Sequence, residues 1–141
     1  MEDVDWTSVF TEGNILANSG KHTEALMNYE LAASIRPGHA LTWNNIGVAK
    51  LCLGEFDQAI PHFSKAIDLD PEYKDAFHNR GLAYSDSGEL EKALNDLTKA
   101  INLDSLYWSA YRHRSIVNQM LGRDSQSYED FINAKKLETE I

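Results

Sequence analysis

A period of 34 residues runs through the chain and limits what it can become. The segment Ala-Ile-Pro-His-Phe-Ser-Lys-Ala-Ile-Asp-Leu-Asp at 59–70 returns as Ala-Leu-Asn-Asp-Leu-Thr-Lys-Ala-Ile-Asn-Leu-Asp at 93–104. Shifting by the same interval aligns Ala25, Ala59, Ala93 and Ser127, and likewise Ala32, Ala66, Ala100 and Ala134. Gly20, Gly54, Gly88 and Gly122 fall in register, as do Tyr29, Phe63, Leu97 and Phe131, and so do Gly13, Gly47, Gly81 and Ser115. The ladder tiles the chain as 6–39, 40–73, 74–107 and 108–141, a single repeat domain preceded by an N-terminal tail of residues 1–5. A fixed period of this length marks an array whose units cannot bury their apolar faces alone and must stack.

Each unit reads as two helices, which makes the fold all-α with antiparallel helix pairs. In the second unit Trp43, Ile46, Gly47 and Lys50 mark the first helix, and Gly54 ends it. Asp57 is placed to cap a second helix that carries Ala59, Phe63, Ala66, Ile67 and Leu69 on one face. Pro71 stops that helix, as Pro37 stops its counterpart in the first unit. Pro61 falls near the helix start, where a missing backbone donor costs little. The glycine and alanine columns let helix axes approach to about 8 Å, and Phe63 and Phe131 are expected to fill the wider gaps.

The pattern Trp43…Ile46-Gly47…Gly54…Ala59…Phe63…Ala66…Pro71 resembles the tetratricopeptide repeat over essentially the whole chain. The third unit follows it with Phe77, Gly81, Tyr84, Ala93 and Ala100. The first unit departs with Val9 and Glu12, and the fourth with Ser115, Asn118 and Ser127. Terminal units of arrays are often atypical because one side faces water. The resemblance implies a right-handed α-solenoid, a superhelix whose concave groove is lined by the first helix of each unit. It further implies a non-catalytic adaptor or scaffold that holds an extended peptide or a helix of a partner protein.

With the groove face chosen from that resemblance, the lining comprises Phe10, Asn14 and Asn18, then Leu41, Asn44, Asn45, Val48 and Cys52. The third unit adds Asp75, His78, Asn79, Leu82 and Asp86, and the fourth Ser109, Arg112, His113, Ile116 and Met120. Asn14, Asn44, Asn45 and Asn79 each carry a donor and an acceptor suited to a peptide backbone. Asparagine is also an ordinary solvated residue on a helix surface, so contact residues and a solvated face both stand as readings. Val48, Leu82, Ile116 and Met120 form an apolar strip, with Arg112 and His113 at one end. The family's clamp for the C-terminal carboxylate of heat-shock chaperones is absent. Asn14 and Asn45 fit it, but Phe10 stands at the first lysine position. Asp75 and Asn79 stand where lysine and arginine are required, and Asp75 would repel a carboxylate.

Other chemistry finds little footing. The net charge of −9 disfavours nucleic acid and anionic membranes as partners. The histidines His22, His39, His62, His78 and His113 and the lone Cys52 show no metal-ligand spacing, so no metal and no cofactor are expected. His78 and His113 sit in adjacent repeats, 35 residues apart, and could approach, giving either a pH-sensitive patch with Asp86 or Arg112 or two ordinary groove residues. No phosphate loop, serine elbow or catalytic cysteine signature occurs, so the chain does not read as an enzyme. An acidic opening, no long apolar run and a single cysteine predict a cytoplasmic protein without a secretory signal. The last helix, around Ser125 to Glu138, carries Tyr128, Phe131, Ile132, Ala134 and Leu137 with no further helix to cover it. Self-association as a homodimer, or transient shielding of a subunit as an assembly chaperone, is therefore the alternative function. A self-capping fourth unit is the other reading of the same helix.

Overall fold

The turn chemistry sets the architecture. The computed structural model describes residues 3–140; Met1 and Glu2 of the expected tail and Ile141 of the expected fourth unit lie outside them. Among the described residues there are eight helices: α1 (Trp6–Asn18), α2 (His22–Ile35), α3 (Ala40–Cys52), α4 (Phe56–Leu69), α5 (Lys74–Asp86), α6 (Leu90–Leu103), α7 (Trp108–Met120) and α8 (Asp124–Thr139). The chain divides into two compact units between Pro71 and Glu72, each built from two of the four repeats. In the first, α1 packs on α2, α2 on α3 and α3 on α4; in the second, α5 packs on α6, α6 on α7 and α7 on α8.

Every first helix ends in the same way. Gly20, Gly54, Gly88 and Gly122 hold φ of 77°, 77°, 83° and 75°, the left-handed region that a side chain resists. At the first of them, Gly20 N–H donates to the Ala17 carbonyl at 3.0 Å and Lys21 N–H to Leu16 at 2.9 Å. Both bonds recur after α3, α5 and α7, through Glu55, Glu89 and Arg123, so each first helix closes with a Schellman motif. The residue that makes the outer bond also begins the next helix, its carbonyl accepting from Ala25, Ala59, Ala93 or Ser127 N–H. Asp57 is therefore not the cap expected from sequence: Glu55 holds that place without a side-chain capping bond, and Asp57 lies in the first turn of α4. Pro61 sits at the sixth residue of α4, past the first turn, so the helix forgoes one i to i−4 bond there.

Within each of the first three pairs the core is a ring or branched side chain laid on a glycine. A Cβ on Gly13 would stand 2.7 Å from the Tyr29 ring, and one on Gly47 would stand 2.5 Å from Phe63. On Gly81 it would stand 3.0 Å from Leu97. Tyr29, Phe63 and Leu97 are buried, whereas Phe131, the fourth of the column, is 46% exposed and fills no core gap. The reason lies in its partner. Ser115 replaces the glycine, and its hydroxyl donates to the Ser127 carbonyl at 2.7 Å while Ser127 Oγ donates to the Ser115 carbonyl at 2.8 Å. The close helix contact is kept, but by two reciprocal hydrogen bonds.

These contacts predict two distinct costs. Gly47→Ala should destabilise the protein by about 2–3 kcal/mol through overpacking against Phe63. Gly54→Ala, which meets nothing in space, should cost about 1–2 kcal/mol through backbone strain alone. Urea denaturation of both variants checks the ranking, and an equal loss would contradict it.

Candidate functional site

In the first unit, α1 supplies Asn14, Ala17 and Asn18, α2 supplies His22 and Tyr29, and α3 supplies Asn45, Val48 and Ala49 to a cleft of about 420 Å³. The buried Tyr29 ring is fixed on Gly13, so its hydroxyl is fixed too. It donates to Asn14 Oδ1 at 2.7 Å, and Asn45 Nδ2 donates to the same oxygen at 3.4 Å. The two amides are thereby oriented, which leaves Asn14 Nδ2 and Asn45 Oδ1 without a hydrogen bond among the described residues. Of the expected groove residues, Asn14, Asn18, Asn45 and Val48 come together here, while Asn44, beside Asn45 on α3, is buried. Phe10, in place of the clamp lysine, stacks on Trp6 at 5.0 Å and meets His39 edge-on at 5.5 Å.

In the second unit the expected approach of His78 and His113 is present as a contact: His78 Nε2 lies 2.9 Å from His113 Nδ1. The contact belongs to a longer chain. Tyr107 Oη lies 3.1 Å from His78 Nδ1 and donates to Asp75 Oδ1 at 2.9 Å, while Ser109 Oγ lies 3.4 Å from His78 Nε2. His78 is buried, and its pKa is pushed down to about 4 by that burial and then by the charge of His113, with Asp75 opposing. Burial also lowers His113, against the Ser109 carbonyl. Burial raises the Tyr107 phenol, helped by Asp75. Asn79 and Leu82 are half-buried on α5, and Arg112 and Ile116 are exposed on α7. The last two line a cleft of about 280 Å³ with Gln119, Phe131, Lys135 and Glu138.

Sequence reasoning missed a pair of ion pairs. Arg80 grips Asp96 at 2.7 and 2.8 Å, and Arg114 grips Asp130 at 2.9 and 2.8 Å, both through Nε and Nη2. Asn118 Nδ2 adds a 3.1 Å bond to Asp130. The signal was there to find: arginines and aspartates are each one repeat apart, and the earlier units carry Glu12 with Asn28 and Ile46 with His62 at these places. Both aspartates are buried, so the pairs act as two-pronged ties between α5 and α6 and between α7 and α8. Among the described residues no three His, Cys, Asp or Glu side chains converge as metal ligands, and no helix is long and apolar enough to cross a membrane.

Comparison with known proteins fits this geometry. Family models described as tetratricopeptide repeat match residues 8–39, 40–73 and 62–95. No curated protein matches the sequence. Among solved structures, MamA 41-end from Desulfovibrio magneticus RS-1 is 24% identical with a TM-score of 0.89, over 96% of this chain and 77% of that one. TTC0263, a thermophilic TPR protein in Thermus thermophilus, is 21% identical with a TM-score of 0.85, over 96% and 75%. The first TPR of Spaghetti (RPAP3), bound to the HSP90 peptide SRMEEVD, is 24% identical with a TM-score of 0.81, over 83% and 93%. These likenesses show an all-α helical repeat solenoid.

The histidine chain generates a pH prediction. Unfolded His78 takes its proton near 6.5 and the folded residue near 4. Between those values the unfolded chain binds more protons, so stability is full above pH 6.5 and falls as pH drops toward 4. The loss should reach about 3 kcal/mol from this residue. Urea midpoints from pH 7.5 to 4 should fall less steeply in His78→Gln, and equal slopes would refute the assignment.

Proposed function

The chain belongs to the tetratricopeptide repeat family, and on that premise we propose that it is a non-catalytic protein–protein interaction adaptor that binds an extended peptide of a partner. One observation carries the reading. In the cleft of the first unit, Asn14 Nδ2 and Asn45 Oδ1 are a donor and an acceptor held side by side, and neither has a hydrogen bond among the described residues. A peptide backbone needs one of each at every residue, and such amides bind it without reading its sequence. Val48 beside them takes an apolar side chain. On the second unit, taken by itself, His113, Arg112 and Ile116 offer further contacts, with Asn79 and Leu82 on α5. We place the protein in a reducing compartment, the cytoplasm, on the strength of its single exposed Cys52.

The peptide is not one read through its terminal carboxylate. Phe10 packed against Trp6 and His39 supports this, as does Asp75 engaged with Tyr107 where a cation would be needed. A second reading, self-association through α8, draws on Tyr128, Phe131 and Ile132, all exposed on that helix. Because Phe131 is exposed rather than core, it can be tested directly.

Peptides recovered from a random display library should bind Asn45→Ala about tenfold more weakly, the worth of one well-made hydrogen bond with its desolvation. Unchanged affinity in a folded variant would remove the cleft from consideration. The peptide SRMEEVD should bind no better with a free than with an amidated C-terminus. By light scattering, a mass that rises above 15.9 kDa with concentration in the wild type but not in Phe131→Glu would establish the second reading. A constant mass in both would dismiss it.

A further inference from the structure

The hydrogen-bond chain of the second unit has a direction, and its end fixes it. An ionised carboxylate only accepts, so the Tyr107 hydroxyl spends its one proton on Asp75 Oδ1 at 2.9 Å. The 3.1 Å contact between Tyr107 Oη and His78 Nδ1 must then take its proton from the imidazole. A neutral ring protonated on Nδ1 has a bare Nε2. The 2.9 Å contact of that Nε2 to His113 Nδ1 therefore takes its proton from His113, with Ser109 Oγ at 3.4 Å as a second donor. Both rings are held as the Nδ1–H tautomer. What remains is Nε2 of His113, which has no hydrogen bond among the described residues and is not buried.

We infer that His113 is a specificity-determining residue of the second unit's surface: it presents a fixed acceptor that selects an N–H or O–H donor from a bound peptide, and it turns into a donor when acid protonates Nε2. The inference rests on the reading of this surface as peptide-binding. The groups that face the pair are Asp75 and Asp86 from α5, Tyr107 from the turn before α7, and Ser109 and Arg112 from α7. Both ring nitrogens of His78 are engaged, so an incoming proton enters at His113. Burial disfavours it there, the Ser109 carbonyl favours it, Arg112 opposes and Asp86 assists. One proton thus inverts the hydrogen-bonding sense of the outward edge and leaves the inner chain in place.

Long-range proton–nitrogen NMR of the histidine rings in the whole protein at pH 7.5 tests the tautomers without any ligand. Nδ1–H on both His78 and His113 is expected, and Nε2–H on either overturns the inference. Tyr107→Phe keeps the ring and cuts the link to Asp75. With its helical content confirmed by circular dichroism, this variant should shift both rings toward Nε2–H, and rings unchanged from wild type would mean that the chain does not hold them. On acidification His113 should take its proton before His78, and the reverse order is fatal to the inference. Library peptides that perturb the His113 ring signals should bind at least fivefold more weakly at pH 5 than at pH 7.5, and affinity independent of pH overturns the selection. A library that yields no binder overturns the adaptor reading and the selection with it, whereas wrong tautomers with good peptide binding overturn the inference alone.

Discussion

The contact on which the first three helix pairs depend is a large side chain resting on a residue that has none. Tyr29 on Gly13 and Phe63 on Gly47 bring two helices closer than a Cβ would allow, and Leu97 on Gly81 leaves one little room. The approach has consequences beyond stability. A ring pinned to a backbone has one orientation, and Tyr29 uses its orientation to aim a hydroxyl at Asn14. The amide is therefore set by packing beneath the surface, and the cleft inherits its order from the core.

The period made the helices and the family legible, because the glycines that end each first helix recur for a backbone reason that leaves little choice of residue. Gly54 marked the end of α3 since only glycine enters its φ of 77° cheaply. Asp57 misled for an instructive reason. A side-chain cap is one way to open a helix, but here the outer bond of the Schellman motif already fixes Glu55 as the opening residue. Phe131 misled because a column of buried aromatics was read without its partner column, in which Ser115 had replaced glycine. Read together, the glycine column that ends in Ser115 and the alanine column that ends in Ser127 announce that the fourth unit closes by serine–serine hydrogen bonds instead.

The candidate site was legible in part. The groove face implied by the family resemblance held Asn14, Asn45 and Val48, and His78 and His113 stand 35 residues apart, about one repeat, but neither fact says which of two adjacent asparagines turns inward. Asn44 is buried and Asn45 is not, a difference of one helical step of about 100° that depends on the crossing angle of neighbouring helices. Nor does the sequence of α5 and α7 alone tie Asp75 to His113. The connection runs through Tyr107, a turn residue whose ring spans the gap, and turn residues carry no helical periodicity to betray them.

The Schellman turns leave no slack. Gly54 belongs to the end of α3 and Glu55 to the start of α4, so no residue in between is free to be lengthened, shortened or replaced by a linker. A single inserted residue there would rotate the second helix by about 100° about its own axis and carry Phe63 off Gly47. Length variation in such a chain is consequently quantised. It can arise by duplicating or deleting an entire helix pair, or in the Pro37 and Pro71 connections, where the backbone has already left one helix and not yet entered the next. For anyone who wishes to graft a tag, a label or a second binding loop onto this protein, those proline connections are the seams, and the glycine turns are not.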